Sequence, residues 1–296
     1  VHMDYHHPLE DYLKNKWVVK ILDWLIKDRR GCEYTRLEEI LRSYRSKDCR
    51  WTWRMKYFVF HWLVDYLRGS TPVTEFKRRL SQKHSVTRGL VLAGRSVVEN
   101  GLSVPQRFSH PLFLVWNFTN LCNLKCRHCY QSAGNKLEDE LTLEEKLAFI
   151  DQMGKSYLPM IAFAGGEPTI SKDLVPVLER CRQWGMHTTI ATNGAAFTPE
   201  LARRLADAGL RYAEVSLDSV NPEKHDTFRG IEGAWKRTVN GMKIIANTEG
   251  LRLGVAMCIH RHNYDEMRDM IEFAISIGAS CFAYFNFIPV GRGKEM

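Results

Sequence analysis

Three cysteines lie close together near the middle of the chain, at Cys122, Cys126 and Cys129, in the order CxxxCxxC. Thiolates are ligands that select zinc, copper(I) and iron–sulfur clusters. A closed structural zinc site needs four ligands, whereas three thiolates on a cubane leave one of its four irons open for chemistry. His128 could supply the fourth ligand of a zinc site, but it lies between two of the cysteines, where its reach is poor. Three unrelated buried cysteines are the remaining explanation.

Glycine-rich and polar strings follow this cysteine loop along the chain. They include GGEP at residues 165–168, TNG at residues 192–194 and PVGRG at residues 289–293. Glycines allow the backbone to approach a ligand closely, and hydroxyl and amide groups suit a sugar or a carboxylate. Each string alone would be a tight turn. Whether such a string binds a ligand therefore depends on the secondary-structure element that precedes it.

Apolar runs of strand length precede the strings, with helical patterns between them. Such a succession predicts βαβ units and a parallel sheet, and right-handed crossovers favour curling of that sheet into a barrel. The polar strings then lie at the carboxyl ends of the strands, where barrel enzymes build active sites. The predicted strands are Leu112–Phe118, Met160–Ala164, His187–Ala191, Tyr212–Leu217, Arg252–Ile259 and Cys281–Ile288.

Capping residues and glycines predict the helices between these strands. They run from Thr142 to about Met153, from about Asp173 to Gly185, from Thr198 to Gly209 and from Asn263 to Gly278. The predicted fold class is α/β, with a partial (β/α)6 TIM-type barrel in residues 109–296. A small helical domain in residues 1–108 precedes it.

The first third of the chain differs from the rest in charge and in pattern. Residues 1–110 contain 21 Lys and Arg against 12 Asp and Glu, so the net charge of +8 arises there. Helical spacing of apolar residues predicts a helix over Leu9–Arg30, and Thr35 with Glu38 suits a capping box for the next one. The segment Trp51–Leu67 is rich in aromatic residues with cations between them. We rank three explanations: packing in a helical core, an amphipathic surface for a membrane or a lipid substrate, and, least favoured, nucleic-acid contact.

Composition excludes several classes of protein. A hydrophobic content of 45% and a charged content of 26% are ordinary for a globular protein. No apolar run approaches the roughly 20 residues that cross a bilayer, and the start shows no cleavable signal pattern. Eight cysteines without paired spacing argue against a secreted disulfide framework. We therefore expect a cytoplasmic protein, with attachment to a membrane surface as an alternative.

The cysteine loop resembles the CxxxCxΦC signature of the radical S-adenosylmethionine (SAM) superfamily, with His128 at the usually aromatic position Φ. Further strings are similar to family motifs, and the resemblance covers about residues 112–293. It implies that the three cysteines hold a [4Fe–4S] cluster whose open iron chelates the methionyl group of SAM. It also implies an external one-electron donor of ferredoxin or flavodoxin type, and a 5′-deoxyadenosyl radical that attacks a C–H bond of the substrate.

The resemblance also implies a set of SAM contacts. The GGEP segment would bind the methionyl ammonium, with Glu167 as its natural charge partner. The TNG, SLD and FRG strings would contact the carboxylate and the ribose, the arginine by a bidentate contact. The residues so implied are Gly165, Gly166, Glu167, Thr192, Asn193, Ser216, Asp218 and Arg229. No residue that acts on the substrate is identified.

The string at residues 285–295 resembles the barrel end of a subfamily that contains heme-pathway and peptide-maturing enzymes. Those enzymes carry cysteine-rich C-terminal extensions, which the 296 residues do not include. Three substrate classes follow: a peptide, a tetrapyrrole, or a lipid reached through the N-terminal helices. The alternative from another class is a non-catalytic zinc-binding or interaction module that uses the same cysteine loop.

Overall fold

A computed structural model describes residues 15–28, 34–45, 57–67, 72 and 84–295, apart from the side chains of 63, 64, 66, 67 and 295. The chain divides into two compact units. Unit 1 is Val1–Leu112 with Met153–Pro159, and unit 2 is Phe113–Gln152 with Met160–Met296. Within the described residues, no helix combines the length and the apolar character that crossing a bilayer requires.

The described part of unit 1 contains the helices α1 (Lys16–Ile26), α2 (Arg36–Arg45), α3 (Phe58–Leu67) and α4 (His84–Asn100). Helix α1 begins where the Trp17 N–H donates to Asn15 Oδ1 at 2.9 Å, inside the predicted range. The predicted capping box of α2 is confirmed. The Thr35 N–H donates to Glu38 Oε2 at 2.8 Å, and the Glu38 N–H donates to Thr35 Oγ1 at 3.2 Å.

The aromatic segment of unit 1 divides between core and surface. Tyr57 is buried in an aliphatic cluster, and Phe60 packs against that cluster. Phe58 and Trp62 are instead 65% and 62% exposed. Core packing, the explanation ranked first, therefore accounts for only some of these rings. Trp51, Trp53, Arg54 and Lys56 lie outside the described residues.

All six predicted strands are present, in one parallel sheet of unit 2 with the order β1 to β6. Each strand pairs only with its neighbours in sequence, so β1 and β6 are the free edges of an open, partial barrel. The predicted fold class is confirmed. The strands are β1 (Phe113–Thr119), β2 (Met160–Gly165), β3 (His187–Thr192), β4 (Leu210–Ser216), β5 (Arg252–Ile259) and β6 (Cys281–Asn286).

The four predicted helices of unit 2 are confirmed, and two helices between β4 and β5 were not predicted. The start of one predicted helix was wrong, because Asn263 leads into a 3-10 turn at Tyr264–Glu266 and the helix begins after it. The helices are α5 (Leu143–Lys155), α6 (Leu174–Gln183), α7 (Pro199–Ala208), α8 (Pro222–Arg229), α9 (Ala234–Ala246) and α10 (Met267–Ser276). Further 3-10 turns lie at Pro168–Ile170 and Gly291–Glu295.

Side chains along the strands alternate between the two faces of the curled sheet. On β2, Ile161 and Phe163 are fully buried on the outer face. Ala162 and Ala164 point the other way and line the enclosed side, which we call the lumen. Successive side chains of a strand point to opposite faces. The large side chains of β2 therefore pack outside, and its small alanines leave room in the lumen for a ligand.

A close approach between α9 and the end of β3 positions the TNG string. A carbon added to Gly241 of α9 would overlap the carbonyl oxygen of Gly194. Thr238, on the same helix, donates from Oγ1 to the Asn193 carbonyl oxygen at 2.8 Å. Helix α9 therefore holds the turn after β3 through backbone contact, which only a glycine at position 241 permits.

Replacing Gly241 by alanine should lower the free energy of unfolding by about 1–3 kcal/mol, because the added carbon forces backbone apart. Gly89 on α4 is the matched control, since the nearest atom to its added carbon is Pro159 Cβ at 3.9 Å. There the same change should raise stability by about 0.5–1 kcal/mol through helix propensity. Urea unfolding measures both. A Gly241→Ala variant as stable as the parent would contradict the role of Gly241.

Candidate active site

The cysteine loop follows β1 and closes on itself. The Cys122 N–H donates to the Gly134 carbonyl at 2.8 Å, and the Gly134 N–H donates to the Asn120 carbonyl at 2.9 Å. Glu140 pins the start of the loop, since it accepts hydrogen bonds from the Asn120 N–H at 2.7 Å and from Thr119 Oγ1 at 3.0 Å. Hydrogen bonds within the loop and to Glu140 thus define its conformation.

Each of the three cysteine sulfurs accepts a hydrogen bond. The donors are the Leu124 N–H for Cys122, Arg229 Nη1 for Cys126 at 3.7 Å and the Ala133 N–H for Cys129 at 3.4 Å. Cys126 is buried, and the other two are partly buried against the same cluster. Hydrogen bonds to sulfur are one of the means by which proteins tune iron–sulfur clusters. The donor set therefore fits such a cluster.

The three thiols are also electrostatically coupled. Burial raises the pKa of Cys122, and negative charge on Cys126 or Cys129 raises it further. A cationic metal centre reverses this, because coordination removes the thiol proton. Among the described residues, no three His, Cys, Asp or Glu side chains form a group suited to a single metal ion.

The GGEP segment packs its backbone against the cysteine loop. The Gly166 N–H donates to the Thr119 carbonyl at 2.7 Å, and the Glu167 N–H donates to the Leu121 carbonyl at 2.8 Å. A carbon added to Gly166 would overlap the Leu121 carbonyl, so glycine is required where the two segments meet. Gly165, with φ 115°, completes the turn out of β2. These contacts place the GGEP turn directly beside the first cysteine.

The Glu167 side chain is fully buried and accepts four hydrogen bonds. Thr169 donates to Oε1 from its N–H at 3.1 Å and from its hydroxyl at 2.5 Å. Thr192 Oγ1 donates to Oε1 at 2.7 Å, and the Asn193 N–H donates to Oε2 at 2.7 Å. Burial raises the pKa of Glu167, although these donors lower it in part. The carboxylate thereby joins the end of β2 to the end of β3.

Asn193 extends this network to the cysteine loop. Its Nδ2 donates to Asn123 Oδ1 at 2.7 Å, next to Cys122. Its Oδ1 accepts from the Ala195 N–H at 2.9 Å, which shapes the turn after β3. The structure therefore brings Gly165, Gly166, Glu167, Thr192 and Asn193 together around the loop. Their predicted contacts with SAM stay predictions.

Asp218 and Arg229 form a buried ion pair, with 2.6 Å between Asp218 Oδ2 and Arg229 Nη2. Asp218 Oδ1 also accepts from the Cys258 N–H at 3.0 Å. Burial alone would raise the pKa of Asp218, but the Arg229 charge, together with the other groups around the carboxylate, outweighs burial and holds that pKa below its usual value. The two residues predicted to contact SAM thus contact each other, and Arg229 reaches the sulfur of Cys126. Ser216 lines the lumen.

Two contacts of the cysteine loop were not predicted. Arg292 donates from Nε to the Cys126 carbonyl at 2.9 Å and from Nη1 to the Ala133 carbonyl at 2.7 Å. The His128 ring stacks on Phe228, with centroids 4.2 Å apart and planes 4° apart. Burial lowers the pKa of His128 to about 4, so the ring is neutral at pH 7. The GRG string at residues 291–293 signals Arg292, whereas no local pattern signals the stacking.

The lumen beneath these strand ends is a cavity of about 780 Å³. Its wall includes Ala162 and Ala164 from β2, Ala191 from β3 and Ala256 from β5. Its volume lies within the range of small-molecule sites, which is roughly 300–1,000 Å³. The arrangement can therefore hold a ligand between the sheet and the cysteine loop.

The family model of the Radical SAM superfamily matches residues 116–274, more than half of the chain. This chain belongs to the radical SAM superfamily. The predicted resemblance is confirmed, and with it the prediction of an enzyme whose cofactors are a [4Fe–4S] cluster and SAM. The pinned loop with three hydrogen-bonded sulfurs is where this chain can hold that cluster.

Curated relatives include proteins named as tetrapyrrole synthases and as a maturase. The chain is 36% identical over 184 residues to the Fe-coproporphyrin III synthase of Methanosarcina barkeri, covering 62% of this chain and 46% of that protein. It is 32% identical to the AdoMet-dependent heme synthase of the same organism, covering 62% and 53%. The mycofactocin maturase MftC of Mycolicibacterium smegmatis is 28% identical, with coverage of 63% and 47%. The chain spans about half the length of these relatives.

Solved structures share the fold at low identity. Streptococcus suis SuiB bound to precursor peptide SuiA has a TM-score of 0.59 at 15% identity, covering 87% of this chain and 58% of that chain. The enzyme anSMEcpe with bound AdoMet has a TM-score of 0.50 at 15% identity, covering 60% of this chain and 52% of that chain. At such identities the similarity supports the fold alone.

Changing Glu167 to glutamine should lower the free energy of unfolding by about 1–3 kcal/mol, because an amide NH2 would face a buried N–H or hydroxyl donor. The matched control is Glu138→Gln, at an exposed position between the cysteine loop and α5. That control should change stability by less than about 0.5 kcal/mol. Urea unfolding measures both. Equal stability of Glu167→Gln and the parent would refute the linking role of the carboxylate.

Proposed function

We propose that this chain holds a [4Fe–4S] cluster on Cys122, Cys126 and Cys129, binds SAM across the strand ends, and activates a C–H bond of a substrate in the lumen. When bound, the cluster and SAM supply a 5′-deoxyadenosyl radical by one-electron reductive cleavage. The observation that carries the proposal is that every cysteine sulfur has its own donor in a loop pinned by Glu140 and Arg292.

In this proposal, different residues around the loop bind different parts of SAM. We propose that Gly165 and Gly166 let the methionyl group approach the backbone, while Glu167 supplies negative charge for its ammonium. Thr192 and Asn193 are held beside that group by the same carboxylate. The neutral and polar groups here suit a zwitterionic ligand, because hydroxyls and amides can both donate and accept.

Ser216, Asp218 and Arg229 would serve the other end of SAM. Ser216 faces the lumen and can reach a carboxylate or a ribose hydroxyl. Asp218 and Arg229 act as a pair in our proposal: Asp218 orients the guanidinium, which donates to the Cys126 sulfur. The guanidinium has five N–H groups. Those that are not used by Asp218 and Cys126 would donate hydrogen bonds to the SAM carboxylate.

For the substrate we propose a peptide or a tetrapyrrole. The support is the naming of the relatives, which are tetrapyrrole synthases and a peptide-related maturase. The cavity of about 780 Å³ suits one side chain or one edge of a larger molecule. Such a site takes the reacting part of the substrate and leaves the rest outside.

For the electron donor we propose an acidic ferredoxin or flavodoxin type of protein in the reducing cytoplasm. Lys125 and Arg127 alternate with the cluster ligands in the sequence, and both are exposed. Positive charge at this position would steer an acidic partner toward the cluster, because complementary charge raises the rate of encounter.

Reduced, reconstituted protein should convert SAM to 5′-deoxyadenosine, measured by chromatography. Cys126→Ala should lower the yield at least a hundredfold, because a cluster held by two thiolates is not retained. The matched control is Cys181→Ala on α6, outside the cysteine loop, which should keep the yield within about twofold. Undiminished product from Cys126→Ala would overturn the ligand assignment. One equivalent of zinc without a charge-transfer band would instead favour the zinc-binding module.

For unit 1 we propose contact with an anionic membrane surface, which would deliver a lipid or a membrane-bound substrate. Trp17 on α1 is 72% exposed, and Phe58 and Trp62 on α3 are exposed as well. Lys20 lies over the Trp17 ring at 5.2 Å. Rings with adjacent cations suit an interface of apolar chains and anionic headgroups. The membrane contact is proposed for unit 1 alone, and a lipid is the second candidate substrate beside the peptide or tetrapyrrole proposed above.

The full chain should co-sediment with phosphatidylserine vesicles at low salt. Changing both Trp17 and Trp62 to serine should reduce the bound fraction at least fivefold, because the inserted rings are lost. Tyr264→Ser, at a ring of unit 2 that is 66% exposed, is the matched control and should leave binding unchanged. Absence of binding by the parent chain would rule out the membrane contact.

A further inference from the structure

Among the residues that the structure describes, one charged side chain of the lumen has no counter-charge. Glu214 lies on the lumen face of β4, half-buried, in the wall of the cavity. Its neighbours in register are Ala191 on β3 and Gly254 on β5, which carry no polar side chain. None of the ion pairs among the described residues that line the lumen includes Glu214. The carboxylate therefore lacks a charged partner in a wall that is mostly apolar.

Tyr212 holds this carboxylate in place. Its ring lies across Gly254, where an added carbon would overlap the phenol. From there the hydroxyl hydrogen bonds with Glu214 and also with Cys281 on β6. A tyrosine that spans β5 in this way fixes the carboxylate on the wall but leaves its charge uncompensated. Burial accordingly raises the pKa of Glu214.

The other charged groups of the lumen cannot serve as its partner. Arg229 is paired with Asp218 and donates to the Cys126 sulfur. The His128 ring is stacked on Phe228 instead. The position of Glu214 also separates it from the strand ends. It precedes Ser216 by two residues on the same face, which places it about 7 Å deeper in the lumen.

We propose that Glu214 binds a cationic nitrogen of the substrate, an amine or a guanidinium, while the small apolar wall takes its hydrocarbon stem. A buried carboxylate gains most from a ligand that supplies the missing charge, since the pair is then desolvated together. This inference rests on the proposed function and narrows its substrate class. It favours a peptide with a lysine or arginine side chain over a tetrapyrrole, whose carboxylate side chains would meet like charge.

The test uses the full chain with its cluster reconstituted and SAM bound. The probe is n-hexylammonium, followed by saturation-transfer NMR, with hexanoate and 1-hexanol as matched ligands of opposite and of no charge. We expect hexylammonium to bind at least tenfold more tightly than hexanol, and hexanoate not to bind. Glu214→Gln should reduce the preference for hexylammonium over hexanol at least tenfold. Glu214→Asp should retain part of it, which separates loss of charge from loss of shape.

Controls keep this test apart from the proposed function. Glu272→Gln, an exposed position on α10, should bind hexylammonium as the parent does. Glu214→Gln should bind SAM and form 5′-deoxyadenosine within about twofold of the parent. If no variant forms 5′-deoxyadenosine but the cation preference holds, the proposed function fails and the cation site stands. Equal binding of hexylammonium by the parent and Glu214→Gln, or a tenfold loss of SAM affinity in that variant, would overturn the inference.

Discussion

The site depends on one buried carboxylate that must be fully hydrogen bonded. Glu167 sits where β2 ends, and a charge there without partners would cost several kilocalories per mole. Its donors come from its own turn and from Thr192 and Asn193 at the end of β3. The polar residues of two strand ends are therefore fixed by the need to satisfy this group. Any contact that they make with a ligand is added to that requirement.

A second buried charge links the cysteine loop to the far side of the sheet. Arg229 lies between the Cys126 sulfur and Asp218. Asp218 in turn accepts a hydrogen bond from the Cys258 N–H of β5. A polar chain thus crosses the mouth of the lumen from the cysteine loop to the fifth strand. In a low-dielectric setting such linked contacts reinforce one another, so the loop and the strands behave as one rigid frame.

Much of the fold was predictable because the signals are local. Apolar runs set the six strands, and capping residues set four of the helices. The N-terminal signal of α8 is also local, since Asn221 Oδ1 accepts from the Lys224 N–H at 3.1 Å and Pro222 starts the helix. The FRG string at residues 228–230 overlaps the end of the same helix. Helix α9 has no side-chain cap at its start, which left only apolar periodicity to indicate it.

The site was predictable in its members but not in their pairing. Asp218 and Arg229 stand in different elements, and only the folded chain shows that each satisfies the other. Glu214 alternates with apolar neighbours along β4, a pattern that a solvent-facing residue would share. Whether such a residue faces water or a cavity depends on the curl of the sheet, which no local pattern records.

The contact between Arg292 and the cysteine loop has a consequence for the order of events during synthesis. The arginine follows the carbonyl that it binds by 166 residues. A growing chain therefore exposes its three thiols to the translation environment long before their clamp exists. Until the ribosome has added that arginine, the loop lacks this contact and has only its contacts with earlier residues, such as Glu140, Asn193 and Arg229. It meets metal or oxidant in that looser form.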